Sequence, residues 1–257
     1  MRIGIIGGSG LDDPSILQDA KDKDVTTPFG KPSSPLKIGT IAGKSVVLLA
    51  RHGRQHTITP SHVNYRANVH ALKQEGCTHI LATTAVGSLR EHIGRGDMVI
   101  PDQLIDFTHL RNNSFFDQFE PNSPVHVSLA EPFSAALRAV LIEQAKALQM
   151  HYHDKATLIT IEGPRFSTRA ESNLFRMWGA DIINMSIATE AALVREAGIP
   201  YSVIAMSTDY DCWKEDEEPV SWEAVLKTFS ENVEKVTRLL ISTIPAIEDK
   251  KTIGEKK

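Results

Sequence analysis

The chain of 257 residues has only two cysteines, Cys77 and Cys212, and they do not form a closely spaced pair. A disulfide framework or a thiolate zinc site is therefore not expected, and unpaired cysteines fit a reducing, cytoplasmic compartment. No apolar run approaches the roughly 20 residues that cross a bilayer, so no membrane association is expected. The opening residues 1–8 are too short and too rich in glycine to read as a secretory signal. A basic block is missing outside the last few residues. With 28 Lys and Arg against 32 Asp and Glu, the formal charge is −4, and a nucleic-acid partner is not expected. Pro/Ser-rich linkers and internal repeats are also missing. What is present, 41% hydrophobic and 23% charged residues, suffices for one large core.

Compact apolar runs at 3–6, 46–50, 79–84, 97–101, 156–161, 181–185 and 201–206 read as buried strands. Helical periodicity lies between them, at 63–74, 131–149, 189–197 and 222–241. Gly76 and Gly198 stand where helix C-termini are expected to stop. This alternation predicts a single α/β domain over residues 1–247, with a charged tail, 248–257, expected to fray. The polar stretch 101–132 reads as a long functional loop.

Several motifs suggest chemistry that their spacing does not support. Gly7-Gly8-Ser9-Gly10 follows a strand, but Asp13 stands where a dinucleotide fingerprint needs its third glycine. Gly43-Lys44-Ser45 lacks the leading glycine of a P-loop and reads as a hairpin turn. Leu11 stands where a nucleophile elbow around Ser9 would need its second glycine. His52 and His56, and likewise His151 and His153, form pairs with no third ligand nearby in sequence, so no metal site is expected.

Other motifs converge. Ligands of open α/β sheets sit beyond the carboxyl ends of the strands. Asp209 and Asp211 follow the strand at 201–206, and two close carboxylates in unequal surroundings can serve as one proton donor and one acceptor. Alone, that pair reads equally well as part of a solvated acidic loop running on to Glu218. Three more strand ends carry anion-binding chemistry. These are the Gly-rich turn with Ser9, Arg51-His52-Gly53 with a planar guanidinium, and Thr83-Thr84-Ala85-Val86-Gly87-Ser88. Phe166 could stack on a flat ring and Met185 could lie against a sugar, although core packing is the commoner fate of both residue types. Together they suggest an anion held beside a group that must be protonated.

The runs GIIGGSGLDDP, TPFGKPS, LLARHGRQHTI, EGCTHI, TTAVGSLRE, EGPRFSTRAES, WGADIINM and STDYDCWKE span nearly the whole chain. They resemble those of the 5′-methylthioadenosine phosphorylases, within the trimeric purine nucleoside phosphorylase group. The resemblance implies a central mixed sheet flanked by helices and assembly as a homotrimer. It further implies that Ser9, Arg51, His52, Thr84, Ala85 and Ser186 surround inorganic phosphate, a co-substrate, with no cofactor and no metal. Phe166 and Ser167 would line the purine site, and Met185 would meet the ribose. Asp209 would share a proton with purine N7, and Asp211 would accept from the 6-amine. Val220, Trp222 and Val225 would wall the methylthio pocket, and His126 would reach the 5′ end of the sugar in a neighbouring subunit. Trp222 replaces a smaller aliphatic residue familiar in the family, and Thr189 replaces a proline. Two other readings remain at this stage: a phosphorylase of methylthioinosine or 6-oxopurine nucleosides, and a non-catalytic nucleoside-binding protein.

Overall fold

In the computed structural model, residues 1–8, 16–216 and 220–248 are described. Ser9 and the tail residues 249–257 lie outside them. The chain begins with β1 (Arg2–Gly7), β2 (Gln18–Lys23), β3 (Leu36–Ile41) and β4 (Lys44–Ala50). The turn at Gly43 does join a hairpin, with β3 and β4 antiparallel. Ala42 and Gly43 both take positive φ, 47° and 77°, as a two-residue turn matched to strand twist requires. After α1 (Tyr65–Gln74) come β5 (His79–Ser88), β6 (Met98–Val99) and β7 (Gln103–Phe107). Then follow α2 (Ala135–Ala147), β8 (Tyr152–His153), β9 (Thr157–Ile161), α3 (Arg169–Met177) and β10 (Ile182–Asn184). The chain continues through α4 (Ile187–Glu196), β11 (Tyr201–Asp209) and α5 (Trp222–Ala246).

Among the described residues, eleven strands form one mixed sheet. Its inner strands alternate between two apolar layers. Ile3, Ile5, Val46 and Leu48 face one core cluster, which α2 and α5 complete with Leu141, Phe229 and Leu240. Ile6, Val47 and Leu49 face the other, with Val69 and Leu72 of α1 and Leu193 of α4. Such two-sided burial explains why these strands read as continuous hydrophobic runs. A smaller cluster joins Phe175 of α3 to Leu89 and Ile159. Among the described residues, no helix is long and apolar enough to cross a membrane.

Three expectations are corrected. The stretch 101–132 is not wholly a loop, because β7 pairs with β9 in parallel from Gln103 to Phe107. The strand expected at 79–84 runs on to Ser88, because β11 pairs with it along almost its full length. The helix expected at 131–149 begins only after Ser134, whose side chain caps the backbone N–H of Leu137.

Candidate active site

The sheet forks at β5, and the fork creates the site. On one edge β5 pairs with β11 throughout. On the other, β1 pairs only as far as Ala82, and β10 takes over, antiparallel, at Gly87 and Ser88. Residues 83–86 therefore have an edge with no strand beside it. A cleft of about 760 Å³, counting its open mouth, lies here, lined by Gly8, Arg51, Thr84, Met185, Asp209 and their neighbours. Gly8 enters the gap and donates its N–H to Thr83 Oγ1 at 3.1 Å. A Cβ on Gly8 would stand 2.6 Å from the Thr83 carbonyl oxygen and 2.8 Å from Arg51 Nη1, so only glycine permits this approach.

Arg51 follows β4 and is fully buried. Its Nε and Nη2 both donate to the Glu190 carboxylate, the latter at 3.0 Å. Nη1 donates to the Thr83 carbonyl at 3.0 Å. Tyr201 completes the network, its hydroxyl donating to Glu190 Oε2 at 2.8 Å. Burial alone would lower the pKa of Arg51, but the charge of Glu190 reverses this and raises it. A guanidinium has five N–H donors; three are engaged here, which leaves two for an oxyanion. His52 differs. Its Nδ1 lies 2.9 Å from the Ile58 carbonyl, an acceptor only, so Nδ1 carries the hydrogen. Burial and the charge of Arg51 push its pKa down to about 3, which makes the imidazole neutral.

Thr84 and Ser186 complete this end. Asn184 donates from Nδ2 to Thr84 Oγ1 at 3.3 Å and accepts from the Thr160 hydroxyl at 2.8 Å. Ser186 is the N-cap residue of α4, yet its side chain makes no capping bond. The residue lines the cleft, at a helix terminus suited to an anion.

At the opposite end, β11 delivers Asp209 into the cleft. The Thr208 hydroxyl lies 2.8 Å from Asp209 Oδ2, and the Asp211 N–H donates to Oδ1 at 2.8 Å. Despite these bonds, burial pushes the Asp209 carboxyl up to about 6. Burial also raises Asp211, against the nearby hydroxyls of Ser172 and Ser167. Both hydroxyls are buried without an aligned hydrogen-bond partner. Gly87 makes the placement possible. A Cβ there would meet Asp209 Oδ1 at 2.9 Å and Ile183 Cγ2 at 3.0 Å.

Phe166 and Ser167 enter the cleft just before α3, which a Thr168–Glu171 capping box fixes. A row of rings forms another wall. His52 lies 4.5 Å from His56, and His56 lies 5.1 Å from Trp222, between centroids. Trp222 opens α5, and Val225 follows one turn later in the lining.

The structure thus brings together Arg51, His52, Thr84, Ala85, Ser186, Phe166, Ser167, Met185, Asp209, Asp211, Trp222 and Val225. Val220 is partly buried and outside the lining. His126 is exposed and packs edge-on against Phe119, away from this chain's own cleft. Sequence reasoning missed His56 and Asn184 as lining residues and Glu190 as the anchor of Arg51. The four-residue spacing of His52 and His56 was a signal, weighed there only for metal binding and set aside. Glu190 lies 139 residues from Arg51 and carried no local signal.

Comparison with known proteins gives the family. Residues 2–245 match the phosphorylase superfamily. The chain is 58% identical to S-methyl-5′-thioadenosine phosphorylase of Xenopus tropicalis, over 96% of this chain and 89% of that protein. It is 49% identical to the enzyme of the same name from Thermofilum pendens, over 98% and 94%. The structure is similar to that of methylthioadenosine phosphorylase from Schistosoma mansoni in complex with adenine. The TM-score is 0.92 at 43% identity, with 97% of this chain and 93% of that one covered. On sequence and fold alike, the chain belongs to the phosphorylase superfamily and, within it, to the S-methyl-5′-thioadenosine phosphorylases.

Proposed function

We propose that this protein catalyses phosphorolysis of S-methyl-5′-thioadenosine, yielding adenine and 5-methylthioribose 1-phosphate in purine and methionine salvage. The observation that carries the reading is the polarity of the cleft. A buried carboxyl pushed up to about 6 stands at one end. Arg51, His52, Thr84 and Ser186 stand together at the other. The curated relatives bear this enzyme's name, and a Schistosoma mansoni variant of 42% identity is solved in complex with methylthioadenosine.

Adenine is a poor leaving group unless N7 gains a proton. With a pKa of about 6, roughly one Asp209 in ten is protonated at pH 7, against about one in a thousand for an unperturbed carboxyl. Asp209 donates that proton to N7 as the bond between the anomeric carbon and N9 breaks. The electron pair of that bond stays with the purine. An oxygen of phosphate then bonds to the anomeric carbon, whose oxocarbenium-like charge the phosphate dianion stabilises. Two N–H groups of Arg51, the Thr84 and Ser186 hydroxyls and the Ala85 backbone hold the anion. No covalent enzyme intermediate is needed, and phosphate is a co-substrate rather than a cofactor. Asp211 accepts from the 6-amine, which favours adenine over 6-oxopurines. Phe166 and Ser167 border the base and Met185 the ribose. Trp222, Val225 and His56 border the methylthio group.

We read the protein as a cytoplasmic homotrimer. Leu110, Phe116, Phe119, Val125 and Val127 are large apolar side chains left exposed on the single chain, as a buried subunit contact would require. In that assembly His126 would approach a neighbour's cleft. The decisive experiment measures adenine release from methylthioadenosine with phosphate, with arsenate and with neither. Release should require one of the two anions. Equal release in their absence would make the protein a hydrolase and end this reading.

A further inference from the structure

Outside the cleft, the back edge of the sheet brings together three groups of a different chemistry. β6 pairs with β11 on one side and with β8 on the other. Asp97 immediately precedes β6, and His151 and His153 bracket Tyr152 of β8. Alternation along a strand turns both imidazoles to one face. His151 Nδ1 lies 2.9 Å from Asp97 Oδ1, and His153 Nε2 lies 2.9 Å from Oδ2. One donor atom from each residue lies within 4.8 Å of the other two. None of the three lines the cleft.

We propose that Asp97, His151 and His153 bind a transition-metal dication of the zinc class. Two imidazoles and one carboxylate are a donor set that zinc takes up, with a fourth position left to water. The site is built unevenly in a way that suits capture. Asp97 and His153 are largely buried, at 16% and 17% side-chain exposure, whereas His151 is 74% exposed. Two ligands are thus held within the fold, and the third meets them from the solvent side. The carboxylate is also oriented by the Gly94 N–H, which donates to Oδ2 at 2.8 Å, an outer contact of the kind that fixes metal ligands. His92 stands edge-on to His153 at 5.7 Å between centroids.

The site is also tied to the strand that carries the catalytic carboxyl. Gly96 donates its N–H to the Ser207 carbonyl at 2.7 Å, and Ser207 returns its own N–H to the Asp97 carbonyl at 3.0 Å. A dication on Asp97 would pin β8 to β6 beside Ser207, two residues before Asp209. Metal binding should therefore raise thermal stability, since a ligand that binds only the native state stabilises it.

The test uses the full chain stripped with a chelator and dialysed against Zn2+ or Co2+. Bound metal is then counted, the Co2+ ligand-field spectrum recorded and the melting temperature measured. Wild type should hold one ion per chain, show tetrahedral Co2+ bands and melt higher with Zn2+. His151→Ala replaces an exposed side chain and should fold normally and keep phosphorolysis. It should weaken metal affinity by at least about 10-fold, the lower end of what even outer contacts contribute. His151→Ala/His153→Ala should abolish binding. If wild type retains no more metal than the double variant, or His151→Ala binds as tightly as wild type, the assignment is wrong. The single variant keeps the test decisive if the double variant fails to fold.

Discussion

Replacing Glu190 with Gln would leave Arg51 as a buried cation without its balancing charge. Both residues are 1% exposed and their contact is bidentate. Breaking such a pair by removing one partner costs about 3–5 kcal/mol. Gln keeps a carbonyl oxygen that can still accept from Arg51 or Tyr201, which places the loss near the lower figure. At about 2–4 °C per kcal/mol for a domain of this size, the variant should melt roughly 6–12 °C below wild type. The response to phosphate separates this account from generic damage to the core. Two N–H groups of Arg51 remain for an anion, and without Glu190 that anion becomes the counter-charge. A tenfold gain in phosphate affinity would return about 1.4 kcal/mol at saturation, or roughly 3–6 °C. Thermal melts of both proteins across a phosphate series would measure it. A loss below about 2 °C, or equal phosphate responses, would refute the coupling between Glu190, Arg51 and the anion.

Asp209→Asn should reduce turnover by about 10²–10⁴-fold, the usual contribution of a positioned general acid, with KM much less affected; a full-rate variant would place the N7 proton elsewhere. The same substitution should stabilise the protein at high pH. The native pKa of about 6 lies above the ordinary carboxyl value of 3.8, so the native state holds the proton between these values. Stability is therefore lost as pH rises through that window, by up to about 3 kcal/mol. Asn has no such proton to lose, so the variant should melt above wild type at pH 8 and lose that advantage at pH 4. Asp211→Asn should narrow the preference for 6-amino over 6-oxo purines, because an amide can donate to the oxygen at C6. Competing methylthioadenosine and methylthioinosine against each other would read this, and an unchanged ratio would remove Asp211 from base selection.

The chemistry was more legible in the sequence than the architecture around it. Asp209 and Asp211 end an apolar strand, and Arg51 and Thr84 end two others, so their convergence follows from a general property of α/β sheets. β2, by contrast, reads Gln-Asp-Ala-Lys-Asp-Lys and is exposed throughout. An edge strand paired on one side needs no apolar face, and its charges discourage pairing with another chain. β7 was hidden for a related reason, being short and only partly buried. Long-range partners left no trace at all. Nothing near His151 indicates that Asp97, 54 residues earlier, completes its cluster.

The forked strand also bears on how the chain can be made. β5 is bordered by β1, already synthesised, and by β10 and β11, which come about 100 residues later. During translation its apolar edge must wait for those partners. At about 5–20 residues per second, the roughly 110 residues that separate β5 from β11 leave that edge unpaired for some 6–22 s. An unpaired hydrophobic edge in a partly made chain invites association with other nascent chains. The same strand whose branching opens room for a nucleoside thus carries an aggregation risk while the chain is being made.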